Sequence, residues 1–248
     1  MLELQRTRKG WGYPILRNPV PRVMKFERFK AYFDSLPQGE LVLDYGAGDR
    51  PLEPMLREKF ATYIAADWPP ANAAHSRRPD IEIGDGPLAI DDGTVDCVVL
   101  TEVMEHLYEP KQVLREIRRV LKPGGALIGT APFAIGEHEQ PYDFHRYTSF
   151  CLRRMFEETG FEVIDVRPVG DMVGVSLVTT VRVLEVLPKA IRRVGLQPLS
   201  YPARLLVRLP ELGYYGLLRL GIDPGRLAYF RTWPLGYAFH VVKQADDH

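Results

Sequence analysis

The chain has 248 residues, 46% of them hydrophobic and 26% charged, which suits one large soluble domain or one domain with an elaboration and excludes a disordered chain. Its 32 basic side chains equal its 32 acidic ones, so no net field directs it to nucleic acid, and none is expected as a partner. Two cysteines without metal-ligand spacing, Cys97 and Cys151, a charged start with no signal-peptide core, and no apolar run of the roughly 18 residues that span a bilayer point to a reduced, cytoplasmic protein.

Residues 22–36 place Phe26, Phe29, Tyr32, Phe33 and Leu36 on one stripe, predicting a helix that stops before Pro37-Gln38-Gly39 and makes 1–38 an N-terminal helical segment. Leu41-Val42-Leu43-Asp44-Tyr45 reads as a buried strand running into Gly46-Ala47-Gly48. Leu52, Met55, Leu56 and Phe60 predict a short helix over 51–60, and 62–67 a second strand closing at Asp67. Residues 69–79 read as a loop, and Ile81-Glu82-Ile83-Gly84 as a third, short strand. Val95 to Leu100 is apolar on both faces, as a central parallel strand should be. A helix over 110–121 carries Val113, Leu114, Ile117, Val120 and Leu121 and ends at Lys122-Pro123-Gly124-Gly125, before a fifth strand from Ala126 to Thr130. A helix over 149–159, capped by Thr148 or Ser149 and closed by Gly160, leads to strand Phe161 to Val166, and Gly236 to Lys243 gives the last strand.

This alternation predicts an α/β, Rossmann-like doubly wound fold, with a core over 39–167 and a closing strand within 236–248. Between them, 168–235 forms an insertion where the fold needs only a turn. From Met172 to Leu235 it holds nine basic residues against three acids, with segments 173–187, 199–209 and 212–222 rich in Leu and Val. Such a stretch reads as a helical cap on an anionic membrane surface, as a substrate lid, or as a homodimer interface. Ligands of doubly wound sheets sit outside the carboxyl ends of the strands, so loops 45–50, 67–70, 84–87, 101–107 and 131–147 should converge.

Asp67 lies 67 − 46 = 21 positions past the first glycine of the turn, at the tip of the neighbouring strand. An acid so placed takes both hydroxyls of a ribose, and the bare turn admits a close approach, so the ligand reads as a nucleoside. The dinucleotide fingerprint requires a third glycine where Pro51 stands, which argues against NAD or FAD and for a cofactor without pyrophosphate. The pattern Asp44-x-Gly46-x-Gly48, with Asp67 and Gly84-Asp85, resembles the class I S-adenosylmethionine-dependent methyltransferases. The run Asp91 to Leu107, with Leu121-Lys122-Pro123-Gly124-Gly125, is similar to the fourth-strand signature of one large subfamily.

The resemblance implies a seven-stranded, mostly parallel sheet and S-adenosylmethionine as cofactor. Gly46, Ala47 and Gly48 then pass under its methionine part, and Asp44 holds the ammonium directly or through water. Asp67 binds the ribose, Trp68 flanks the adenine, and Asp85, beside Gly86, accepts from the exocyclic amine. Thr101 and Glu102 line the pocket, and His106 is chiefly structural.

Because a sulfonium already activates the methyl, the protein must align a nucleophile and, for an alcohol, remove its proton. Residues 136–148 gather His138, His145, Glu137, Glu139, Asp143, Arg146, Tyr142 and Tyr147 after the fifth strand. This run resembles bacterial methyltransferases of glycan and lipopolysaccharide biosynthesis. In that reading His138 is the candidate general base, oriented by Asp143 or Glu139. His145, Arg146 and Tyr147 meet the acceptor, although Arg146-Tyr147-Thr148 reads equally as a loop anchor and helix cap. The spacing of His138, Glu139, Asp143 and His145 is not His-Glu-x-x-His, and no metal is expected. The expectation is O-methylation of a sugar hydroxyl in a saccharide or lipid-linked glycan intermediate. O- or C-methylation of a quinone-like small molecule, and a cofactor-binding module without turnover, are the alternatives.

Overall fold

The computed structural model describes residues 20–69, 77–222 and 231–244, together with the backbone of 5–7 and 10–12; most of the predicted 69–79 loop lies outside the described residues. In chain order the elements are β1 (Gln5–Thr7), β2 (Gly10–Gly12), α1 (Val20–Ser35), β3 (Gly39–Tyr45), α2 (Glu53–Leu56), β4 (Phe60–Asp67), β5 (Ile81–Glu82) and β6 (Val95–Thr101). A 3-10 turn (Met104–His106) then precedes α3 (Pro110–Val120), β7 (Leu121–Pro132), α4 (Ser149–Glu158) and β8 (Phe161–Val169). The insertion folds as α5 (Met172–Leu184), α6 (Val186–Arg193) and α7 (Gln197–Arg219), and β9 (Gly236–Lys243) closes the sheet.

Seven strands form one sheet in the order β5-β4-β3-β6-β7-β9-β8. Only β9 runs against its neighbours, pairing antiparallel with β7 and β8, so the sheet is mostly parallel as expected. The chain winds outward from β3 to β5 and returns to β6 on the other side of β3, which places the switch point at the carboxyl ends of β3 and β6.

Alternation along the central strands builds two apolar layers. Val98 and Leu100 pack with Leu114, Ile117, Leu152 and Phe156 from α3 and α4, whereas Cys97 and Val99 pack with Phe26, Phe29 and Phe33 of α1 on the other face. All five residues of the stripe along 22–36, four aromatics and Leu36, are buried.

The predicted helix over 51–60 is a single turn, α2, with Pro54 in its first positions and Phe60 already in β4. The apolar spacing there is real, because Leu52, Met55, Leu56 and Phe60 are all buried, but the sheet claims the chain too soon for a second turn. Strand β7 starts at Leu121, opposite Val95, and makes its next pairing at Ala126 with Cys97. Lys122-Pro123-Gly124-Gly125 is therefore an excursion within one strand, with Gly124 at φ +74°.

Segments 199–209 and 212–222 merge largely into one helix, α7, that carries Pro202 and Pro210 inside it. Tertiary contacts hold it, since each proline removes a backbone donor. The Val20 N–H donates to the buried Glu211 carboxylate (2.9 Å), the Tyr215 hydroxyl to Glu27 (2.6 Å), and Arg219 pairs with Glu27. Val20, Val23 and Tyr215 close a small apolar core between α1 and α7. Among the described residues no helix is long and apolar enough to cross a membrane.

Candidate functional site

The turn after β3 needs its glycines. Gly46 sits at φ +75° and Gly48 at φ +53°, and a Cβ on Gly46 would lie 2.4 Å from Val103 Cγ2. The turn is pinned to the end of β4: the N–H groups of Gly46 and Ala47 donate to the Ala66 carbonyl (2.8 and 3.2 Å), and that of Gly48 to Asp67 Oδ2 (2.6 Å). The Trp68 N–H donates to the other Asp67 oxygen (2.8 Å). Each oxygen of Asp67 thus has one protein donor and a lone pair left over. Trp68 is 42% exposed and stands edge-on to Tyr45, with ring centroids 5.7 Å apart.

The Ile83 N–H donates to the Asp67 carbonyl (2.8 Å), which holds the segment carrying Asp85 beside the tip of β4. Asp85 and Gly86 are exposed, and a Cβ on Gly84 or Gly86 would meet open space. Asp44 is buried and accepts the Tyr63 hydroxyl (2.9 Å). Burial, reinforced by the Asp67 charge and opposed by the Tyr63 hydrogen bond, pushes its carboxyl up to about 7. Of the two roles expected for Asp44, its burial fits the water-mediated one.

Thr101 ends β6, and Glu102 follows at φ +55°. Glu102 does not face an open pocket alone: Oε1 accepts the Thr130 hydroxyl (2.9 Å), and Oε2 pairs with Lys25 of α1. Lys25 is a partner that sequence reading missed, because only the tertiary fold brings α1 to the end of β6.

The segment after β7 folds back onto the 3-10 turn. The Phe144 and His145 N–H groups donate to the Glu105 carbonyl (2.8 and 3.2 Å), and the Tyr147 hydroxyl to the Met104 carbonyl (2.9 Å). Tyr147 is 4% exposed, which favours the loop-anchor side of the two readings the sequence left open for it. Thr148 caps α4, accepting from the Cys151 N–H (3.2 Å). Arg146 grips Asp143 through two nitrogens (2.6 and 2.7 Å) and also donates to the Ile135, Gly136 and His145 carbonyls. It too is a loop anchor, and its guanidinium holds the Asp143 carboxyl well below the usual carboxylate range. His145 is half-buried, with its ring near Tyr147 and its Nε2 enclosed without a hydrogen-bond partner among the described residues.

Asp143 sits beside His138 as expected: Oδ2 accepts the His138 N–H (2.9 Å) and lies 3.3 Å from Nδ1. Glu139 does not orient His138; its carboxylate lies 3.7 Å from Nε2 of His106. The ring of His106, read from sequence as chiefly structural, stands 4.9 Å from that of His138. Glu105 lies beside both rings, fully buried, with neither carboxylate oxygen hydrogen-bonded among the described residues. Burial, then the charge of Glu102, push the Glu105 carboxyl up to about 8. The sequence did carry a signal for Glu105: an acid beside His106 in a short turn bounded by the apolar Val103 and Leu107.

Residues 20–166 match the methyltransferase domain family. A protein of Mycolicibacterium smegmatis, named a probable S-adenosylmethionine-dependent methyltransferase, is 31% identical over 154 residues, which cover 56% of this chain and 60% of that protein. A ubiquinone biosynthesis O-methyltransferase of Caulobacter sp. is 37% identical over 102 residues, 37% of this chain and 40% of the enzyme. The chain thus spans less than two thirds of the length of these relatives. Among solved structures, a chain in the complex of the Haloferax volcanii Trm112 methyltransferase activator with a methyltransferase superposes with a TM-score of 0.58. It is 19% identical, with 91% of this chain and 90% of that one covered, and so shows the shared fold.

Proposed function

The chain belongs to the S-adenosylmethionine-dependent methyltransferase domain family, and from that premise we propose that it methylates a hydroxyl of a sugar in a saccharide or lipid-linked glycan intermediate. One observation carries this reading. The glycine turn and the cluster of Glu105, His106 and His138 lie at the same end of the sheet, joined through Val103, whose side chain fills the space a Cβ on Gly46 would need.

The residues at the turn fit the cofactor. A bare turn at Gly46 and Gly48 leaves room for backbone contact, Asp67 keeps a lone pair on each oxygen for a vicinal diol, and the open Asp85-Gly86 segment suits an exocyclic amine. When bound, S-adenosylmethionine supplies an electrophilic methyl on a sulfonium. The protein's own work is then to hold the acceptor and take its proton. His138 is suited to that, because Nδ1 faces the Gly136 carbonyl (3.3 Å) and the Asp143 carboxylate (3.3 Å), both acceptors only. Nδ1 therefore carries the ring proton, and Nε2 presents a lone pair. A poorly acidic alcohol needs such a base, whereas a more acidic acceptor does not.

Two features support an anionic, membrane-borne acceptor. A cavity of about 510 Å³ where α1, the end of β8 and α7 meet is lined by Arg28, Arg167 and Arg231, with Asp171 the one acid. Farther out on the insertion, Val186, Leu187, Leu199, Leu205, Leu206 and Leu209 are exposed beside Arg182, Lys189, Arg192, Arg193 and Arg204. Exposed apolar side chains mixed with cations suit the surface of an anionic bilayer. The likeness to a ubiquinone biosynthesis O-methyltransferase favours a second reading, O-methylation of a quinone-like small molecule. Transfer of labelled methyl from S-adenosylmethionine into fractionated lysate tests both. Label in glycan or lipid-linked glycan fractions is expected; label confined to small aromatic metabolites would replace the acceptor, and bound cofactor without any transfer would leave a binding module.

A further inference from the structure

We propose that Glu105, His106 and His138 form a binding site for one divalent first-row transition-metal ion. The three ligand atoms lie within 4.8 Å of one another, with Glu105 Oε1 3.7 Å from Nε2 of His106 and 3.8 Å from Nε2 of His138. Ligands about 2.1 Å from a tetrahedral ion stand about 3.4 Å apart, so closing on an ion asks each atom to move only a few tenths of an ångström.

The tautomers decide the chemistry of the cluster. Nδ1 of His106 lies 2.7 Å from the Tyr142 carbonyl, which can only accept, so that nitrogen carries the proton and Nε2 is bare. His138 is fixed the same way by the Gly136 carbonyl and Asp143. Two nitrogen lone pairs and a carboxylate oxygen then converge, and no described side chain donates a hydrogen bond to Glu105. Acceptors facing acceptors around a fully buried carboxyl are unfavourable unless a proton or a cation lies between them. Backbone carbonyl and carboxylate partners on the far ring nitrogens are also the outer contacts that orient metal-binding histidines. Glu139, exposed and 3.7 Å from His106 Nε2, can swing in as a fourth donor, while the nearby Glu102 is held by Lys25 and Thr130. Two imidazoles and a carboxylate suit zinc, iron, cobalt, nickel or manganese better than calcium.

The inference rests on reading this cleft as the acceptor side of the site, and it changes the task of His138 from taking a proton to holding an ion. An acceptor hydroxyl taken as a further ligand would release its proton to solvent near neutral pH.

Cobalt(II) and manganese(II), each alone, are titrated into the purified full chain after chelation, read by the visible absorption of cobalt and the paramagnetic resonance of manganese. One ion per chain is expected, with affinity falling at least about tenfold in His106→Ala and in His138→Ala. Glu105→Gln, which removes charge with little change of shape, should lose binding as well; the two partly exposed histidines keep the test open if that variant does not fold. Binding of S-adenosylmethionine, measured by calorimetry on every variant, should be unchanged. Absence of a stoichiometric ion in the wild type, or equal affinity in both histidine variants, overturns the site. Failure of the cofactor to bind would instead remove the methyltransferase reading and leave the metal result standing.

Discussion

Asp44→Asn separates what this buried acid does for a ligand from what it costs the fold. The side chain is 2% exposed, and its carboxyl is raised from 3.8 to about 7, chiefly by burial. In the unfolded chain an aspartate titrates near its ordinary value, so between about pH 4 and 7 the folded state holds a proton that the unfolded state has lost. Stability should therefore fall as pH rises through that window, by up to about 1.4 kcal/mol per pH unit, and level off above it. Across the window this sums to about 4 kcal/mol. Asparagine has the same shape, still accepts from Tyr63 and never ionises, so the variant should match the wild type near pH 4 and exceed it by up to about 4 kcal/mol at pH 8. Urea denaturation of both proteins at each pH from 4 to 8 reads this directly, because every other titrating group cancels in the difference. Cofactor affinity should move the other way: the ammonium of the ligand favours an ionised Asp44, so the wild type should gain affinity up to about pH 7 while the variant stays flat. Parallel stability curves for the two proteins across this range would refute the reasoning.

Asp67→Ala should weaken S-adenosylmethionine binding by about 3 kcal/mol, on the order of a hundredfold, through loss of charged hydrogen bonds to the ribose; calorimetry measures it. His138→Ala should keep cofactor affinity and lose roughly a hundredfold or more of turnover in the labelled-methyl assay, and equal turnover would remove it from the site. Gly46→Ala combines a left-handed backbone with a 2.4 Å approach to Val103, which costs about 2–5 kcal/mol in denaturant unfolding, and Val103→Ala in the same chain should recover part of it. Replacing Arg192 and Arg193 by Glu should reduce sedimentation with anionic vesicles, at about 1 kcal/mol per charge, without changing the result for neutral ones.

Reading the chain by its apolar periods located the strands of the sheet to within a few residues, because a buried parallel strand and a two-sided α/β core each demand an unbroken or strictly spaced apolar run. Helix lengths were less legible: α2 has one turn where the spacing allowed several, and α7 runs through two prolines, since packing against the sheet and against α1 overrode local propensity. The proposed cofactor side was written locally, because a glycine turn and acids at strand tips are each set by a few consecutive residues. The acceptor side was not. Glu105 and His106 lie over thirty residues from His138, and their meeting depends on the loop after β7 being folded back by Arg146 and Tyr147 onto the 3-10 turn. Of the two readings that the sequence left level for Arg146 and Tyr147, acceptor contact and loop anchor, their hydrogen bonds favour the anchor.

The amino-acid order by itself determined the doubly wound sheet, its switch point and the glycine turn after β3, since these follow from short-range pattern and from conformations that only glycine adopts readily. Only the tertiary structure decided which acids are buried, which are neutralised, as Glu102 is by Lys25, and which stand among acceptors without a donor, as Glu105 does. Burial and pairing are properties of neighbours distant in the chain, and they govern charge more strongly than residue type does.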